Sequence, residues 1–374
     1  MGWHPPVPAA ILDVEDTRWQ VIRSWPGQTA EDYVLELLAP DRPGVRAAHL
    51  RSGQLELLPA GRDRRLPGLK HVAKHGEVVV HRAHHRAVVR AGDQYAKLFR
   101  LRQAAGAASR HAWMNELLGP EDFRTPDIVS YTPGCLTLTS LPGRSLFDLG
   151  RDAAVSEAVF EKAWQKWAEG WVRQQSLARA LPQRLTLEAL PPRSAAVELA
   201  NLRRIVNLWL LHAHDVPGAE AQRSGVRAAA TQVAQELLGS EADPLVWSHG
   251  DLHDKQIFVD SADDSLGLLD FDESGRAEAA ADLANLAMHL QLRLRQQRLS
   301  DQRYQTASRQ VIAAAEELRV SPARFDAYAG ASRLRLGCLY SFRPQWAAQA
   351  EDFLYPPAVP EGALSSAGSS PGKI

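Results

Sequence analysis

From Trp19 to about Arg100 the apolar residues fall in short runs. VLELL (34–38), VRAAHL (45–50), QLELL (54–58), EVVVHR (77–82), RAVVRA (86–91) and QYAKLFR (94–100) are rich in Val and Leu and are separated by Gly, Pro, Asp or Arg clusters. Runs of this length with such punctuation predict strands, close enough together to form hairpins. Residues 1–17 show no such pattern and read as an irregular arm. Helical spacing takes over in GAASRHAWMNELLG (106–119), which Gly119-Pro120 should stop. GCLTLTSL (134–141) predicts one more strand, ending in Pro142-Gly143.

Beyond residue 145 the periodicity is mostly helical. In SEAVFEKAWQKWAEGWVRQQSLA (156–178), Phe160, Trp164, Trp167 and Trp171 share one face, which predicts a core stripe rather than an aromatic ligand cage. Further helices are expected near 193–214 and 219–238, strands at 245–272, and helices again from about 278 to 353. The Gly-, Ser- and Pro-rich segment 359–374 is expected to be disordered. Strands first and helices afterwards predict an α+β fold of two lobes. The expected division is a strand-rich cap with its arm at 1–76, a small lobe at 77–141, a helical lobe at 142–356 and a tail at 357–374.

Composition narrows the function classes. The 374 residues are 45% hydrophobic and 23% charged, ordinary for a globular chain, with a net charge of −1. That balance argues against a nucleic-acid partner. Two distant cysteines, Cys135 and Cys338, exclude a disulfide framework and argue against a cysteine zinc site. The N-terminus has no secretory pattern and no apolar run is long enough to span a membrane, so the expected location is cytoplasmic and no membrane partner is foreseen.

The stretch that carries chemistry is LVWSHGDLHDKQIFVDSADDSLGLLDFDESG (245–275). LVWS reads as a strand ending at His249-Gly250-Asp251, KQIFVD (255–260) as a second and LGLLDFD (266–272) as a third. Asp251 and Asp270 thus lie at strand ends 19 residues apart. Gly250 allows close backbone approach to a ligand. A carboxylate closing an apolar strand is costly unless it meets a cation. Carboxylates with a side-chain amide are the hard oxygen ligands that magnesium shares with phosphate.

HGDLHDKQ followed by LLDFD resembles the paired signature of the aminoglycoside phosphotransferase and choline kinase-like family, over roughly 77–350. The resemblance implies a two-lobed protein kinase-like fold and phosphoryl transfer from ATP, with GTP possible, to a small-molecule hydroxyl: an amino-sugar, an amino-alcohol or a sugar. It implies Asp251 as the catalytic residue at the substrate hydroxyl, and Asp270 as the magnesium ligand. His253 would contact a phosphate or brace the loop. His249 would shape the loop and Asp282 support it, with Asp272 secondary. The family's second metal ligand is Asn, whereas here it is Gln256, which carries the same amide oxygen on a longer side chain. Asp254-Lys255 stands where the family often has Pro-Gly, and Lys255 would add charge beside the phosphates or stay solvated.

On the N-terminal side the resemblance implies Lys97 as the phosphate-pairing lysine, with Glu116 as its helical partner. It also implies a hinge at LTSLPGRSL (138–146), with backbone groups of Ser140 and Leu141 at the base. The turn HRAHHR (81–86) lacks glycine; its Arg82, His84, His85 and Arg86 would reach phosphate by side chain, or form a solvated turn. Its three histidines alone do not make a transition-metal site. Residues 18–76 exceed the usual small lobe and are expected to form an extra strand-rich cap. The competing functional reading, prompted by Gln256, is a non-catalytic nucleotide-binding pseudokinase. An unrelated hydrolase using His249 and Asp251 or a metal ranks last, since no G-x-S-x-G elbow accompanies those residues.

Overall fold

A computed structural model describes residues 3–177 and 187–354. The chain opens with β1 (Ala10–Leu12), β2 (Arg18–Pro26), β3 (Asp32–Leu38), β4 (Arg46–Arg51) and β5 (Gln54–Leu57), an antiparallel sheet in simple chain order. The expected irregular arm is therefore partly ordered. Ala10–Leu12 pairs along β2, and Trp3 stands edge-on to Trp209, ring centroids 5.5 Å apart, with its backbone N–H donated to Gln222 Oε1 at 2.6 Å.

A short helix, α1 (Leu69–Val72), leads into β6 (Glu77–Arg82), β7 (Arg86–Ala91) and β8 (Gln94–Phe99). Next come α2 (Ala104–Asp122), β9 (Phe123–Arg124), β10 (Ile128–Thr132) and β11 (Cys135–Thr139). The small-lobe sheet has the order β10-β11-β8-β7-β6, so Lys97 lies on its central strand. Leu66 and Leu69 bury against Val89, Ala96 and Leu98 of this sheet. α2 runs past its expected stop at Gly119-Pro120 and gives up the one hydrogen bond that proline cannot make.

The large lobe begins with β12 (Arg144–Ser145), α3 (Leu146–Arg151), α4 (Glu157–Leu177), α5 (Ala195–His212) and α6 (Glu220–Gly239). β13 (Leu245–Ser248), β14 (Ile257–Asp260), β15 (Ser265–Leu268) and β16 (Gly275–Glu278) follow, then α7 (Ala279–Arg295), α8 (Asp301–Glu317), α9 (Pro322–Tyr340) and α10 (Ala347–Leu354). The Trp stripe is core: Phe160, Trp164, Trp167 and Trp171 are all buried, and Trp171 packs on Trp247 of β13 at 4.9 Å. Residue 178, at the end of the expected α4, and the tail 357–374 lie outside the described residues. None of the described helices is long and apolar enough to cross a membrane.

The cap touches both lobes. Toward the small lobe it covers the edge strand β6: Val45 N–H donates to the Val78 carbonyl at 2.8 Å, and buried Glu36 accepts from His81 N–H at 3.0 Å. Covering a sheet edge in this way removes a template for unwanted strand pairing. Toward the large lobe, Tyr33 packs on His212 at 4.9 Å and Ser24 Oγ donates to the Phe342 carbonyl. Trp19, Val21, Leu35 and Leu37 belong to the same apolar core as the helices of the large lobe.

Candidate active site

The loop after β13 is held from several sides. Gly250 has φ +81°, and a Cβ there would run into the Glu273 carbonyl, so only glycine fits. Both oxygens of buried Asp282 on α7 accept loop N–H groups, from His249 at 2.7 Å and Gly250 at 2.9 Å. The His249 ring reaches the Leu269 carbonyl at 3.0 Å, and Asn285 donates to the Leu252 carbonyl at 3.0 Å. Asp254 pairs with Arg293 at 3.0 Å, both buried. These contacts leave Asp251 partly exposed at the lip of a cavity of about 420 Å³.

The third strand ends at Leu268, earlier than the sequence suggests. Asp270 adopts a left-handed φ of +72° ahead of a single turn, Phe271–Glu273. That kink turns the carboxylate toward the small lobe, where Lys97 Nζ meets Asp270 Oδ1 at 2.5 Å and Asp272 Oδ1 at 3.0 Å. Arg86 Nη1 donates to Asp272 Oδ2 at 3.0 Å. Burial pushes the Asp270 carboxyl up, but Lys97 and Arg86 outweigh it and hold the group well below the usual carboxylate range.

The second strand likewise starts late, at Ile257, because residues 253–256 turn: Gln256 N–H donates to the His253 carbonyl at 3.0 Å. The Gln256 carbonyl in turn accepts from Leu269 N–H at 3.2 Å, setting Gln256 beside the residue that precedes Asp270. Gln256 is buried, and its Oε1 has no hydrogen-bond partner among the described residues. An orphan amide oxygen and an ionised carboxylate suit magnesium, which takes few protein ligands and completes its shell with phosphate and water. Among the described residues no three His, Cys, Asp or Glu side chains gather into a metal cage.

Other expected positions fall differently. Glu116 lies on the exposed face of α2, and the carboxylates that hold Lys97 are Asp270 and Asp272. The α2 residue near Lys97 is His111, five residues earlier, buried against Phe271 and bonded to the Pro126 carbonyl at 2.6 Å. The Ser140 N–H is already given to the Asp93 carbonyl at 2.7 Å, which removes it as a donor to a base and leaves Leu141 as the hinge candidate. The His253 ring packs on His289 at 4.8 Å and accepts the Lys255 N–H at 3.3 Å, a bracing position. Lys255 Nζ lies 4.3 Å over the Phe147 ring, so its charge is engaged there rather than held beside Asp270.

The glycine-free turn is not a freely solvated one. Asp63, from the segment linking cap to small lobe, accepts from His84 N–H at 2.6 Å and binds the His84 and His81 rings at 2.8 and 3.2 Å. His84 takes a left-handed φ of +62°, and this anchoring sustains it. Nothing near His84 in the sequence announces Asp63; only the run of histidines needing a partner hints at it.

With this geometry in place, residues 70–318 match the model of a family described as a phosphotransferase enzyme family. Among solved structures, the chain is similar to a mutant of a type IIIa aminoglycoside 2′-phosphotransferase in complex with GDP, at 15% identity over 74% of this chain and 88% of that one, TM-score 0.50. It is also similar to a choline kinase from Cryptosporidium parvum, at 11% identity over 78% and 92%, TM-score 0.49. A third is an aminoglycoside phosphotransferase from Streptomyces rimosus in complex with ADP and streptomycin, at 19% identity over 66% and 88%, TM-score 0.46. No curated protein matches significantly.

Proposed function

Since the chain belongs to the phosphotransferase enzyme family, we propose that it transfers the γ-phosphate of ATP, or of GTP, to the hydroxyl of a small molecule, with Asp251 as the base at that hydroxyl. The observation that carries this reading is the reach of Lys97 from the small-lobe sheet to Asp270 at 2.5 Å and Asp272 at 3.0 Å on the large lobe. An ammonium on one side of a cleft and a carboxylate kept ionised on the other is what bracketing a polyphosphate requires.

In the transfer, the acceptor oxygen forms a bond to the γ-phosphorus and its proton passes to Asp251. The bond from that phosphorus to the bridging oxygen breaks, and its electron pair leaves with the nucleoside diphosphate. Such a reaction is mostly positioning and charge neutralisation, so the bracing of the loop by Asp282, His249 and Asp254 serves it directly. Lys97 pairs with the phosphates, and the Leu141 backbone meets the base. Asp270 and Gln256 would hold magnesium, which when bound neutralises charge on the nucleotide phosphates.

The test is a thermal-shift series with ATP and GTP, with and without magnesium, beside an acceptor panel read by release of nucleoside diphosphate. Magnesium-dependent stabilisation with turnover supports the reading. Stabilisation without turnover on any acceptor favours the pseudokinase, and the absence of magnesium-nucleotide stabilisation overturns both readings.

A further inference from the structure

The cavity at Asp251 is walled from three directions. The cap contributes Trp25, the end of β6 contributes Arg82, and α5 and the residues after α9 contribute Arg204 and Arg343. Its carboxylates are few, and two of them are spent. Glu273 pairs with Arg193 at 2.7 Å, and Glu198 faces Arg335 at 3.7 Å. Asp251 is the remaining lining acid. Arg82, Arg204 and Arg343 have no carboxylate within ion-pair distance among the described residues. Arg82 stacks on Trp25 and Arg343 on Tyr340, with guanidinium carbons 5.1 and 4.1 Å from the ring centroids.

This is an uncompensated concentration of positive charge. Desolvation first, and then the nearby Arg204, Arg86 and Arg100, push the Arg82 guanidinium down to about 10. The Arg82 Nε is buried without a hydrogen-bond partner among the described residues. Arg82 and Arg343 are half-buried and Arg204 is exposed, so the three can meet a ligand that enters the cavity, and the planar fork of arginine matches carboxylate and phosphate. A cationic amine would find Asp251 as the one lining carboxylate not already paired with an arginine among the described residues.

We infer that the acceptor carries a carboxylate or a phosphate beside the hydroxyl that is phosphorylated, and that Arg204 and Arg343, faced by Arg82, form its anion seat. The inference rests on the phosphotransferase reading of the same site and narrows it: hydroxy acids, sugar acids and sugar phosphates fit, and amino-sugars and amino-alcohols do not. The cavity of about 420 Å³ is ample for an acceptor of monosaccharide size. It also gives the cap a role, since Trp25 fixes Arg82 in the wall facing the seat.

Matched probes test it on the full chain: glycerate, glycerol 3-phosphate, glycerol and ethanolamine in one series, and glucuronate, glucose 6-phosphate, glucose and glucosamine in another. Binding is read by thermal shift with magnesium and ADP, and turnover by diphosphate release with ATP. The expected result is preference for the anionic members by about tenfold or more, the hydroxy acids and the phosphates showing which anion is used. Arg204→Gln and Arg343→Gln should each erase about tenfold of that preference while magnesium-ATP affinity holds. Arg204 is exposed, so its variant should fold.

Preference for the neutral or cationic members, or stabilisation by none of the anionic ones, overturns the inference. Equal weakening of magnesium-ATP binding in the two variants also overturns it, since the arginines would then serve the nucleotide. Failure of the phosphotransferase reading looks different: no magnesium-ATP binding by the unaltered protein.

Discussion

At the scale of single residues, the account turns on groups that the motif pair brought forward and the fold placed together. Lys97→Ala should lower turnover by about tenfold or more, since it removes a phosphate contact while the lobes keep their apolar packing. Steady-state kinetics check this, and unchanged kinetics would move the phosphate lysine elsewhere. Gln256→Ala should raise the magnesium concentration needed for half-maximal nucleotide binding. Gln256→Asn should do so too, because the backbone, fixed by Leu269 and His253, is set for the longer side chain. A magnesium titration of nucleotide binding decides it: an unchanged titration for the alanine variant makes Gln256 a plain loop residue. Asp270 could be singled out from motif spacing and Lys97 from its place in an apolar strand, and the fold brings these two side chains together. His111 was not, since its contact with Phe271 spans 160 residues of chain, and neither was the Asp254–Arg293 pair across 39 residues.

At the scale of elements, most strands and helices could be read from apolar spacing, and the differences cluster where chemistry overrides it. Asp270 sits in an apolar run that reads as continuous strand, yet the chain kinks left-handed there to aim the carboxylate at Lys97. Strain of this kind is stored at functional sites and sustained by what surrounds them. The loop of Asp251 depends on its anchor to α7. Asp254→Ala would leave Arg293 buried and unpaired, which should cost about 3–5 kcal/mol, read as a lowered midpoint in chemical denaturation. Trp167→Ala, in the stripe on α4, should cost a similar ~3–5 kcal/mol through the cavity it leaves. A near-native midpoint for the Trp variant would contradict the core reading of that stripe.

At the scale of the whole molecule, the sequence announced two lobes and an extra strand-rich segment, and its silence concerned where that segment goes. The cap shares the core of the large lobe, covers the β6 edge of the small lobe and reaches the cavity at Asp251. Short-range patterning cannot express contacts such as Tyr33 with His212. Removing residues 1–58 should therefore abolish the single cooperative thermal transition expected of the intact chain, because it exposes both an apolar face and a strand edge. A truncated chain that melts cooperatively would show the cap to be dispensable. The central claim is phosphoryl transfer with Asp251 at the acceptor hydroxyl. Its most direct measurement follows label from γ-labelled ATP into an acceptor, with the unaltered protein beside Asp251→Ala. The account predicts labelled acceptor from the unaltered protein, a fall of about 10²–10⁴-fold in the variant, and magnesium-ATP binding preserved in both. Near-native transfer by Asp251→Ala would contradict it.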